Sequence, residues 1–264
     1  MLPRTLAHIA AAALLAIPAA ARAETRHMAQ TGTSLDVASP CARAVTIMPD
    51  PALSGRVVLD ATADHPEEIA QLRFDTEGQA VKLRGSRERC WTPEGDDHFE
   101  TTLHLALHVP AGMPVTIDES NGADYTLGAI GGPLSLAVSG GIKLRAAYVR
   151  TMTMDISGGA DLTIDRLEGS LHAELSGGSK IQIDQAILSD MTLSMSGGGG
   201  LKLGGGTIGR FNLELSGAGA VAIGATVGDA TISLSGVGDV KIAKVTGRLT
   251  KDVEGVGNVT IGEP

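Results

Sequence analysis

The sequence predicts an all-β protein, a parallel β-solenoid (β-helix-like) with about 19 residues per rung, capped by an N-terminal β region. Three observations lead there. Glycine supplies 35 of the 264 residues while Phe, Tyr and Trp together supply six, so a layered core built on aromatic anchors is disfavoured. A Ser-Gly marker recurs at near-constant spacing through the second half of the chain. Around each marker, apolar and polar residues alternate with period two, as a strand with one buried face requires. The hydrophobic fraction of 43% is that of a folded chain and excludes wholesale disorder.

The marker serines are Ser120, Ser139, Ser157, Ser176, Ser196, Ser216 and Ser235, with Glu254 in the final place, and successive steps are 19, 18, 19, 20, 20, 19 and 19. One residue before the marker stand Val138, Ile156, Leu175, Met195, Leu215, Leu234 and Val253, which should face inward. A second strand follows the glycines, with inward pairs such as Leu144 and Ala146, Leu162 and Ile164, or Val259 and Ile261. A lone apolar residue marks a shorter third side: Ile130, Val149, Leu167, Ile187, Ile208, Val227 and Val245. No single unit of this size closes a core, but stacked units bury one continuous apolar column.

The same pattern sets finer expectations. The glycines after each serine should supply positive φ at the corner. The serine hydroxyls should stack there, bonding backbone or one another. Asp124, Lys143, Asp161 and Lys180 should form a surface ion ladder of alternating sign. Glu119 takes the place where Val138 and Ile156 point inward, so either the first marked rung bulges or an acid lies near the column, and the bulge is favoured because an unpaired buried carboxylate is costly.

Residues 24–118 carry weaker strand signals without the marker: 34–39, 44–49, 55–63, 72–78, 80–85 and 102–110, each bounded by Pro, Gly or charged turns. They read as a β region continuous with the glycine-rich repeats of 119–264, hiding the first rung of the column. Residues 1–23 read as a secretory signal peptide: Arg4, an apolar run from Ile9 to Ala20, and the small-residue site Ala21-Arg22-Ala23. That run is shorter than the roughly 20 residues a spanning helix needs, so no transmembrane anchor is expected after cleavage and the product should be periplasmic or secreted.

Removing that segment leaves 19 basic and 30 acidic side chains, a balance that argues against a nucleic-acid partner. Cys41 and Cys90 are the two cysteines, and in an oxidising compartment they are expected to pair as a disulfide. No Cys-x-x-Cys is present, so redox catalysis is not expected.

Residues 159–163 (GADLT) and 237–241 (VGDVK) are similar to a calcium-binding nonapeptide, but Lys143, Lys180, Gly200 and Ala220 occupy the equivalent places, so no metal site is expected. His104 and His108 share the polar face of one strand about 13 Å apart, too far to ligate one ion, and His98 adds nothing to them. A glycosidase or polysaccharide lyase on such a scaffold would use clustered carboxylates with basic and aromatic neighbours. The outward acids Asp155, Glu174, Glu214 and Asp252 form a stripe, but Ser194 and Ser233 interrupt it, and the repeats hold only Tyr125, Tyr148 and Phe211 as rings. No catalytic residue and no cofactor are expected. The stretch 84–100 places Arg87 and Arg89 beside the sole Trp91, a composition enriched at binding hot spots, so these three are the candidate binding residues.

The run VPAGMPVTI at 109–117, followed by repeated LxxSGxGxLxL units, resembles the GIN-domain family of putative auto-transporter adhesin heads, and 44–85 looks like that family's opening segment. The resemblance covers about residues 30–262. It implies an extracytoplasmic bacterial protein, a β-helix-like fold and no assigned catalytic residues. The functional expectation is a non-enzymatic structural, adhesive or envelope-associated binding module whose partner is an unidentified protein or glycan of the cell envelope. The alternative is a carbohydrate-active enzyme on a β-helix.

Overall fold

The computed structural model describes residues 23–85 and 101–262. Apart from Ala23, the expected leader therefore lies outside the described residues, as do Arg87, Arg89, Cys90, Trp91 and His98.

Among the described residues, eight strands and one short helix form the N-terminal part: β1 (Glu24–Thr31), β2 (Ser34–Ala38), β3 (Ala44–Pro49), β4 (Arg56–Ala63), α1 (Pro66–Ala70), β5 (Arg73–Glu77), β6 (Ala80–Arg84), β7 (His104–Val109) and β8 (Val115–Glu119). The single turn of α1 starts at a proline, whose missing N–H costs nothing in the first helical turn. β1, β4 and β7 pair antiparallel, as do β5 and β6, whereas β2, β3 and β8 run parallel to the rungs above. β3 and β8 both pair with the first full rung, so one ladder runs from this region into the repeats.

Each of the next six units is one long strand wrapping the whole rung: β9 (Ala123–Val138), β10 (Gly141–Ile156), β11 (Gly159–Leu175), β12 (Gly178–Met195), β13 (Gly198–Leu215) and β14 (Ala218–Leu234). The seventh is split into β15 (Val237–Val245) and β16 (Leu249–Val253), and β17 (Val256–Ile261) begins an eighth. Every consecutive pair is parallel and in register, for example Leu144 on Leu162 on Ile181 on Leu201. This is the expected parallel solenoid. The inward residues form one contiguous core from Leu35 to Ile242, with Phe211 among its largest wholly buried side chains.

The corners work differently from the expectation. At each one, a single carbonyl of the rung below accepts two successive amides: Val138 O takes Ser157 N at 2.8 Å and Gly158 N at 3.2 Å, and Ile156 O takes Ser176 N at 2.9 Å and Gly177 N at 3.3 Å. That pinch draws the rungs so close that a Cβ on Gly158, Gly177, Gly197, Gly217, Gly236 or Gly255 would fall under 3.0 Å from backbone oxygen below it. None of these glycines has positive φ. Glycine is there for clearance and not for a left-handed turn. The serine hydroxyls contribute less than expected: among the described residues, only Ser120, bonded to Ser39 Oγ at 2.8 Å, and Ser157, bonded to Val138 O at 3.3 Å, make such bonds.

Three further expectations are corrected. Ile187 is exposed, and its neighbour Leu188 fills the third side in register with Ile208, because this rung carries an additional residue. Val253 is 44% exposed, since no full rung covers it. Glu119 stands directly opposite Val138 with no bulge and is buried.

Candidate functional site: a groove along the glycine corner

The alternation that buries Ile142 and Ala160 and half-buries Ala123 at the corner places Asp124, Lys143 and Asp161 outside, one above another on successive rungs. Between these two columns and the serines runs a second glycine column. There Gly141, Gly159 and Gly178 have open space where a Cβ would point, and none has positive φ. Neither clearance nor backbone conformation demands glycine at these positions. The same column carries Ala218, Val237 and Val256 farther along the rod.

The missing side chains leave a cleft of about 670 Å³ over the first three rungs, continued at its lower end by Ala42, Arg43 and Thr101. Arg43 is fixed at both sides of its backbone, donating to Leu103 O at 2.9 Å and accepting from Asp124 N at 3.2 Å. Thr101 is held by α1, donating its hydroxyl to Glu68 at 2.7 Å. Rigid strands therefore present a small apolar floor and a wall of alternating charge.

The expected ion ladder does not form. Asp124, Lys143, Asp161 and Lys180 are stacked as expected, yet among the described residues none makes an ion pair within 4.0 Å or a side-chain hydrogen bond. Their charges face solvent and the groove.

The candidate binding residues Arg87, Arg89 and Trp91 lie outside the described residues, but both ends of their segment are placed. Gly85 packs against the Ser39 carbonyl and the Cys41 sulfur, and Thr101 lines the groove. Cys41 is not a free thiol, and its expected partner Cys90 lies outside the described residues.

Two other polar clusters have structural explanations. Glu119 Oε1 accepts the amides of Asn121 and Gly122, each at 3.0 Å, and Oε2 accepts the Tyr125 hydroxyl at 2.8 Å. Both oxygens are occupied, so this carboxylate organises the first corner. On the exposed side, Arg166 and Tyr148 both donate to Glu168, at 2.8 and 2.9 Å. Arg166 first, then Tyr148, hold the Glu168 carboxyl below the usual range. Among the described residues, no group of three or more His, Cys, Asp or Glu could hold a metal ion.

With the corner geometry in place, comparison with known proteins places the repeats. Residues 140–264 match the family model described as putative auto-transporter adhesin, head GIN domain. The match opens at Gly140 and leaves the segment before it outside. The putative adhesin of Parabacteroides merdae is 14% identical over 92% of this chain and 96% of its own, with a TM-score of 0.52. The putative lipid binding protein of Parabacteroides distasonis is 13% identical over 91% and 97%, with a TM-score of 0.53. At these identities the likeness is one of fold. No curated protein matches the chain.

Proposed function

We propose that this protein is an extracytoplasmic, non-enzymatic, adhesin-like binding module that holds a protein or glycan of the cell envelope in the glycine-corner groove. The observation that carries this reading is the bare stretch of the corner. Side chains are accommodated at Ala218, Val237 and Val256, yet the column is empty where the charged wall stands. The adhesin description of the matching family and the leader-like residues 1–23 support the compartment and the class. The three expected contact residues, Arg87, Arg89 and Trp91, precede Thr101, which lines the groove. A Cys41 to Cys90 bridge would tie that segment down and contribute about 4 kcal/mol through loop closure on the chain-entropy model.

The test is affinity capture from envelope extracts and a glycan array, each run with the protein and with a Gly141→Val/Gly159→Val variant that fills the groove. Vesicles form a further arm, motivated by the name of the Parabacteroides distasonis relative. Loss of capture in the filled variant supports the reading. Equal capture by both proteins, or cleavage of a glycan by either, overturns it.

A further inference from the structure

We propose that the broad sheet face bearing the charged wall is a docking surface for a second copy of this chain, laid antiparallel about a two-fold axis that passes between β10 and β11. The face is one continuous ladder, in which β4, β7 and β3 lead into β9, the strands β9–β14 follow one another, and β15 stands on β14. Those ten strands, about 4.8 Å apart and each showing about five residues, present roughly 800 Å², the area that each partner buries in a standard interface.

Charge complementarity names the occupant. Asp124, Lys143, Asp161 and Lys180 follow one another up the wall, and among the described residues none of them has an ion-pair partner in its own chain. The two-fold reverses their order in the facing copy, so that Asp124 meets Lys180 and Lys143 meets Asp161, each contact being made twice. The rows beside the wall agree. Arg145 comes opposite Thr163, Lys241 opposite Asp60, and Asp165 and Asp184 opposite Ala147 and Gly128, so none of these charges meets its like.

Other placements lack this match. Rods laid parallel with their walls facing set Asp124 on Asp124 and Lys143 on Lys143. Moving the axis one rung towards β12 sets Arg145 against Lys202. The other broad face, whose outward rows run from Thr116 and Asp118 to Thr250 and Asp252, carries acids and no Lys or Arg, so a copy of itself is repelled there. Relief fits as well. Met48, 38% exposed, comes opposite Gly204, which has no side chain to meet it. Both copies keep the glycine corner on the same side, so the two-fold brings the two grooves side by side along one seam.

Sedimentation of the full chain over a wide concentration range should show the mass rising from one chain to two, with the dissociation constant climbing as salt is added. Lys143→Asp/Lys180→Asp makes the wall wholly acidic, and Asp124→Lys/Asp161→Lys makes it wholly basic. Each variant alone should raise the dissociation constant about tenfold or more, and an equimolar mixture should restore a dimer of one acidic and one basic chain. In the parent, zero-length carbodiimide coupling should join Lys180 to Asp124, which lie roughly 14 Å apart in one chain and meet only across the axis. A chain that stays single at every concentration overturns the proposal, as does a dimer that lacks this link, a dimer indifferent to either charge variant, or a mixture whose members remain apart. In dilute solution, where the chain is single, a denaturant melt followed by circular dichroism should find both variants as stable as the parent, which separates loss of docking from loss of fold. Sedimentation uses the protein alone, so the outcome is independent of what the groove binds.

Discussion

The hydroxyl of Tyr125 donates to Glu119 Oε2 at 2.8 Å inside the first rung, where both residues are shut off from water. An acid and a phenol thus point inward here, where the strands stacked on them carry Val138 and Leu144. Glu119 Oε1 does here what a backbone carbonyl of the rung below does at the later corners, accepting two successive amides, those of Asn121 and Gly122.

Replacing the phenol should expose how much this arrangement depends on the hydroxyl. Tyr125→Phe leaves a buried carboxylate oxygen without its donor and should destabilise the protein by about 1–3 kcal/mol. Urea unfolding followed by circular dichroism measures the change, and a loss indistinguishable from zero would show that water reaches Oε2.

The same pair predicts an alkaline transition. Burial first, and the Glu119 charge second, push the Tyr125 hydroxyl well above 10.0. The folded state therefore keeps a proton that the unfolded state releases. The associated stability is fully present below pH about 10 and is lost as pH rises above it. Of the two tyrosines, Tyr148 is also raised, by desolvation and then its bond to Glu168, but it lies at the surface. Ultraviolet titration should show one tyrosine ionising reversibly and the other only with unfolding. Two tyrosines ionising together in the folded protein would contradict this.

Adjacent glycines should respond to alanine with opposite sign. Gly158→Ala drives a methyl into the Gly140 and Ser139 carbonyls and should cost roughly 1–3 kcal/mol. Gly159→Ala meets nothing within 4 Å and should stabilise by about 0.4–1 kcal/mol through the unfolded chain. Thermal unfolding of the two variants side by side decides it.

Much of this architecture was legible in the chain, and the reasons are local. Leu136 and Val138, or Leu213 and Leu215, alternate with polar neighbours, and a strict repeat multiplies that weak signal across every rung. The failures arise where a neighbouring rung decides. Gly158 reads as a turn residue, yet the Gly140 carbonyl beneath it sets the requirement. Ile187 and Leu188 are equivalent by composition, and only the register with β13 selects Leu188. Glu119 reads as an intruder because its partners, two backbone amides and Tyr125, are brought to it by the corner. The groove was not foreseen at all. Its signal was present, though: the second glycine of GG at 140–141, 158–159 and 177–178 gives way to alanine and valine later in the column.

The charged wall should matter little for folding. Lys143→Ala/Asp161→Ala removes two side chains that touch no partner, so stability should stay within about 0.5 kcal/mol of the parent. A larger loss in a denaturant melt would mean that the two attract across the rung in solution.

A core truncation sets the opposite limit. Phe211→Ala removes a wholly buried ring from the column and should cost about 3–5 kcal/mol, with the unfolding midpoint falling accordingly.

From β10 to β13 each strand pairs only with the strands before and after it among the described residues. The span between Gly159 and β17 is five such steps, about 24 Å. Duplicating or deleting a whole repeat would lengthen or shorten that interval like marks on a ruler. The reach of the molecule is therefore adjustable independently of the groove on its first rungs.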